Sequence, residues 1–234
     1  MSVNDGFCAL ARDEAQPFGD ARMPSFRQVS TQFPALLIDA ASSNVQVGIL
    51  ESNHTPRSRW YATEGEAGVA VFEGVKNLGV DLEQVSTFIF CDGPGSVLGI
   101  RTVAMALRTW LVLRPRPVFA YCSLAVVAHA LGRNDVGVIA DARRESWHHY
   151  QIGRGLRRVP AAELTGDLVM PRHFRHWSAL PPGVQEVPYS LAELLPKIWD
   201  ANVLRATDAP DAFLHEEPSY VKWTPQVHRA PAAR

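Results

Sequence analysis

Residues 91–101 read Cys91-Asp92-Gly93-Pro94-Gly95-Ser96-Val97-Leu98-Gly99-Ile100-Arg101, and the fold turns on them. The run before them, Thr87-Phe88-Ile89-Phe90, is aromatic and β-branched and predicts a buried strand ending at Cys91. Asp92 to Ser96 has turn chemistry. Helical spacing then runs from Val97 to Leu113, where Pro115 and Pro117 stop it. A strand, a glycine-rich elbow and a long apolar helix in this order predict an α/β layout. Two readings of the elbow stand side by side. Its glycines and the free N–H groups of the helix start suit an anion. The same glycines suit a rigid elbow that seats a packed or docked helix. No Lys-Ser/Thr pair follows, so this is not a Walker A loop, and the third glycine is misplaced for a dinucleotide fingerprint.

Working upstream, Ala35-Leu36-Leu37-Ile38-Asp39 is a short apolar run ending in an acid. Ser42-Ser43-Asn44 reads as a turn, and Val45 to Leu50 as the returning strand of a hairpin. A third strand is expected near residues 58–62. Val69, Val71, Phe72, Val75 and Leu78 fall at helical spacing over residues 66–78. Downstream, residues 117–121 predict a strand, and Ser123 a cap for a helix that Gly132 stops. Residues 135–141 form another apolar strand ending in an acid, Asp141, and residues 147–152 its hairpin partner. The signal weakens beyond Arg154. A helix is expected at 190–199, with Pro196 arguing for a break inside it. The order βββαβα, then αββ, predicts two related lobes, at 34–121 and 122–224. Residues 1–33 are polar and aperiodic and are expected to be a disordered leader, with 225–234 a loose tail.

The chain has 234 residues, 47% of them hydrophobic, and a net charge of −1. That balance excludes a generally basic nucleic-acid coat. No apolar run approaches the roughly 20 residues of a membrane-spanning helix. Cys8, Cys91 and Cys122 form no CxxC, which favours a reducing compartment, and the cytoplasm is expected. The basic residues are uneven in kind, with 20 of the 23 being arginine. Seven of these fall in residues 142–176 against three acids, a local net charge of +4. The segment reads as an RNA-facing patch or as a solvated polar face.

Two acids stand at equivalent strand ends. Asp39, with Ser42 and Ser43, could face metal-bound phosphate or cap its own turn. Asp141, with Arg143 and Arg144, could do the same or form a structural Asp–Arg pair. Paired across a cleft, they would make a small-molecule phosphotransferase or ATPase. Neither HExxH nor GxSxG occurs, so no metal site and no triad is expected. On the helix at 97–113, Val97, Ile100, Val103, Ala104, Leu107 and Leu111 make one apolar stripe, while Ala106, Trp110 and Leu113 extend a second. A helix apolar on more than one face calls for a second partner surface.

Three of these stretches, in order, resemble the bacterial TsaB (YeaZ-type) family, formerly labelled glycoprotease-like. They are Leu37-Ile38-Asp39-Ala40-Ala41-Ser42, Gly93-Pro94-Gly95-Ser96 with Gly99-Ile100-Arg101, and Ile139-Ala140-Asp141-Ala142-Arg143-Arg144. Ser123-Leu124 and Pro218-Ser219-Tyr220-Val221-Lys222 are weaker echoes, and the likeness spans about residues 35–223. The departures are Ala40, Val97-Leu98, Cys91-Asp92, Glu64-Gly65-Glu66 and Glu145-Ser146. The resemblance implies an actin-like, sugar-kinase-like (ribonuclease H-like) α/β fold of two lobes with mixed sheets, the second lobe reduced. It implies a noncatalytic subunit of the complex that makes N6-threonylcarbamoyladenosine in tRNA. The partners implied are a TsaD-like catalytic subunit and a TsaE-like ATPase, with tRNA touched indirectly, ATP at the complex interface, and a homodimer when alone. Pairing would use the first-lobe helices, through Val69, Phe72, Val75, Ile100, Arg101, Val103, Ala104, Leu107, Arg108 and Leu111. Residues 64–113 hold no histidine, whereas TsaD-like catalysts carry a metal-binding histidine pair on a helix.

Overall fold

The computed structural model describes residues 23–51 and 58–213. In chain order these form α1 (Phe26–Val29), β1 (Ala35–Asp39), β2 (Asn44–Leu50), β3 (Ser58–Glu64), α2 (Ala67–Asn77), β4 (Thr87–Gly93), α3 (Val97–Leu113), β5 (Val118–Cys122), α4 (Ser123–Leu131), β6 (Gly137–Asp141), β7 (Ser146–Gln151), β8 (Gly155–Pro160), β9 (Leu168–Pro171), β10 (Gln185–Val187), α5 (Leu191–Ile198) and β11 (Leu204–Ala206).

The strands make two mixed sheets with one repeated order. The first runs β3-β2-β1-β4-β5, with β11 added beyond β5, and the second runs β8-β7-β6-β9-β10. In each, a three-stranded antiparallel meander is followed by two strands parallel to its first member. The first repeat crosses over through α2 and α3. The second replaces those helices with a 3-10 turn at Ala161–Glu163 and with residues 172–184, which is how the second lobe is reduced. Among the described residues, no helix is long and apolar enough to cross a membrane.

Parallel pairing buries β1, β4 and β5 on both faces, so they read as continuous apolar runs. One face of the first sheet takes α2 and α3, around Val71, Phe88, Leu107 and Trp110. The other face joins the second sheet through α4 and α5. From Ser123 to Ala128 every residue of α4 is buried, as befits a helix apolar all round and enclosed on all sides. Gly132 closes α4 in the left-handed conformation the sequence predicts.

The structure corrects several expectations. Residues 25–33 do not belong to a disordered leader. Ser25 and Gln28 form a capping box for α1, Phe26 stacks on Trp199 with ring centroids 6.0 Å apart, and Arg27 N–H donates to the Trp199 carbonyl at 3.0 Å. A four-residue helix is too short to show periodicity, so its sequence reads as coil. Residues 1–22, the tail from 225, and the segment 218–222 lie outside the described residues. Ser123 does not cap α4, because its hydroxyl donates to the Pro94 carbonyl at 2.6 Å. Pro196 sits inside α5 without ending it. Burying Leu191, Leu194, Leu195 and Ile198, at about 1.5–3 kcal/mol each, outweighs the roughly 3 kcal/mol that an interior proline costs.

Candidate functional site

The acid at the end of β1 is sealed. Asp39 is fully buried, and its Oδ2 accepts hydrogen bonds from the Tyr121 and Tyr189 hydroxyls, both at 2.6 Å. Its Oδ1 accepts from Ala41 N–H at 2.9 Å. Burial pushes the carboxyl above its usual range, against the pull of these hydrogen bonds. The Tyr189 carbonyl accepts from Gln46 Nε2 at 3.2 Å, which fixes the tyrosine over the acid. Ser42 serves its own turn, donating to the Asn44 carbonyl and accepting from Asn44 N–H. Ser43 N–H donates to the His173 carbonyl at 2.9 Å. Asp39 and Ser42 therefore spend their side-chain oxygens on partners inside the protein, and Ser43 is tied beside them through its backbone N–H.

Asp141 is likewise committed. Its Oδ1 accepts from Arg143 N–H at 2.5 Å, and its Oδ2 from Trp177 and Ser178 N–H at 2.6 and 2.8 Å. Partial burial pushes the carboxyl up, but the three backbone donors outweigh it and hold the group below its usual range. Residues 173–178 thus form a strap between the two acids. The strap is tied to Ser43 at one end and to Asp141 at the other, with the Phe174 ring edge-on to Tyr189 at 5.0 Å. The strap is what sequence reasoning missed, because hydrogen bonds from backbone N–H leave no mark on residue identity.

At the elbow, the glycines serve close packing. Ser96 accepts from Gly99 N–H as the cap of α3, and Ser96 N–H donates to the Ala41 carbonyl at 2.7 Å. A Cβ at Gly95 would overlap the Ala41 carbonyl, and one at Gly99 the Ala40 carbonyl. The glycines let the Gly93–Ser96 loop, Pro94 included, press against the turn after β1 and so aim α3. Asp92 opens this loop. It is 1% exposed and ion-paired to Arg205 of β11, and burial raises its pKa to about 6 against the pull of that arginine. Among the described residues no cluster of His, Cys, Asp or Glu could hold a metal ion.

The expected partner face needs correction. Ile100, Val103, Ala104 and Leu107 are buried in their own lobe. The strongest apolar stripe of α3 faces its own sheet, as the stripe of a surface helix does. Val75 and Leu111 are half-buried, while Arg101 and Arg108 are exposed, Arg108 pairing with Asp211 at 3.1 Å. A second row faces outward: Leu98, Met105 and Val112, at 79, 58 and 85% exposure. Val69 and Phe72 of α2 are also exposed, Phe72 standing edge-on to Trp110 at 6.1 Å. Thr102 and Thr109, interleaved with the row, turn their hydroxyls back onto the Leu98 and Met105 carbonyls. The seven-residue recurrence was the signal that could have found this row.

The doubled strand order, with helical crossovers in the first repeat and short loop crossovers in the second, defines an actin-like, sugar-kinase-like α/β fold with a reduced second lobe. No family model and no curated protein matches the chain. Among solved structures it is similar to YeaZ from Pseudomonas aeruginosa, with a TM-score of 0.51 and 19% identity, over 70% of this chain and 89% of that one. It is also similar to an uncharacterized protein with similarity to the peptidase YeaZ from Pseudomonas aeruginosa, at a TM-score of 0.49 and 20% identity, over 70% and 88% of the two chains. At 19% identity, the likeness to YeaZ from Pseudomonas aeruginosa establishes the fold alone.

Proposed function

We propose that this chain is a TsaB (YeaZ-type) subunit of a tRNA threonylcarbamoyladenosine-forming complex, and that it supports a TsaD-like catalyst rather than catalysing the transfer itself. The outward row on α3, beside Val69 and Phe72, carries the reading. These five exposed apolar side chains, on two packed helices, suit a helical partner. The YeaZ-like fold and the three ordered motifs support the choice of partner. The internal bonding of Asp39 and Asp141 argues against a phosphotransferase built on them. In this reading the elbow aims α3, α3 and α2 receive the TsaD-like subunit, and a TsaE-like ATPase joins the pair. The test is deletion of the gene followed by mass spectrometry of tRNA nucleosides from the host. Loss of N6-threonylcarbamoyladenosine is expected, and an unchanged level overturns the proposal.

A further inference from the structure

The second lobe carries a feature that partner pairing through α2 and α3 does not use. Among the described residues, four that are not glycine have left-handed backbone: Arg143, Arg144 and Glu145, at φ 63, 51 and 56°, and His173 at φ 68°. All four lie in just two segments, the turn from β6 to β7 and the strap. Left-handed conformations cost side-chain-bearing residues energy, and such residues gather where a function needs the geometry. Here the turn raises Arg143 so that its guanidinium lies over the Trp177 ring, 4.3 Å from the centroid. Asp141 fixes both halves of this pair, accepting from Arg143 N–H and from Trp177 N–H. Trp177 is nevertheless 63% exposed. Arg144 and Arg175 stand exposed on the same two segments, and Arg172 is exposed just before the strap. A held, exposed indole among arginines lacks the burial that would explain it as core.

We infer that this surface binds an unpaired stretch of RNA, with a base stacked on Trp177 and the flanking phosphates on Arg143, Arg144 and Arg175. An aromatic platform beside cationic forks is the chemistry that single strands require. The charge complementarity is local, since the whole chain carries −1 while residues 142–176 carry +4. The surface is independent of the α2–α3 row, so it can be tested apart from partner pairing.

The probe is a fluorescein-labelled 12-residue oligouridine, titrated with the full-length chain by anisotropy. The expected result is binding that weakens with salt. Trp177→Ala should bind about 5- to 150-fold more weakly, the range for losing one base–aromatic stack. Arg144→Ala and Arg175→Ala should each lower the slope of log K against log salt by about 0.7, as loss of one phosphate contact on a single strand does. No binding by the parent, or parent-like binding by folded Trp177→Ala, overturns the inference. Equal affinity for an oligothymidine of the same length would overturn RNA as the ligand.

Discussion

Asp92 gives the sharpest physical prediction. Its carboxylate is 1% exposed, paired to Arg205, and has a pKa of about 6. In the unfolded chain the group titrates near 3.9. Between these values the folded state binds more protons than the unfolded state, so stability falls as pH rises through this window. The gap is about two pH units, or about 3 kcal/mol at 1.36 kcal/mol per unit. Asp92→Asn keeps the shape and removes the buried charge. The variant should match the parent near pH 4 and exceed it by up to about 3 kcal/mol above about pH 7. Urea unfolding of both proteins across this range measures the difference directly, since other carboxylates cancel between them. A stability difference that does not change with pH would refute the reasoning.

Tyr189→Phe removes one of the two hydroxyls that hold buried Asp39, and should cost about 1–3 kcal/mol by urea unfolding. A loss below a few tenths of a kcal/mol would mean that the hydroxyl is not holding the acid. Gly95→Ala drives a Cβ into the Ala41 carbonyl and should cost about 1–3 kcal/mol, read as a lowered Tm. Ala104→Glu buries an unpaired charge inside the lobe, and should cost several kcal/mol, enough to abolish cooperative unfolding, while Met105→Glu should leave the Tm within a degree or two. Equal Tm values for these two variants would mean that α3 faces the other way.

Much of the first lobe was legible because its elements are long and its rules local. The β1–β2 hairpin, α2, β4, the elbow and α3 each combine a clear apolar period with a clear stop. The later strands were not, because β9 and β10 of the second sheet and β11, which returns to the edge of the first, are three or four residues long and take their partners from distant sequence. Asp39 and Asp141 were found as paired strand-end acids, yet their chemistry depends on Tyr189, Trp177 and Ser178, which arrive through long-range packing. The face of α3 was misassigned for a simpler reason. Apolar spacing identifies the buried stripe, and in this helix the stripe that is left over is the one that faces outward.

The account rests on the outward row of α3, and pairing tests it most directly. The host's TsaD-like protein should bind the parent chain in isothermal titration calorimetry. Leu98→Glu/Met105→Glu should retain the parent's Tm and lose that binding by at least about 100-fold, since truncating or charging interface anchors costs several kcal/mol. A folded double variant that binds as tightly as the parent would contradict the account.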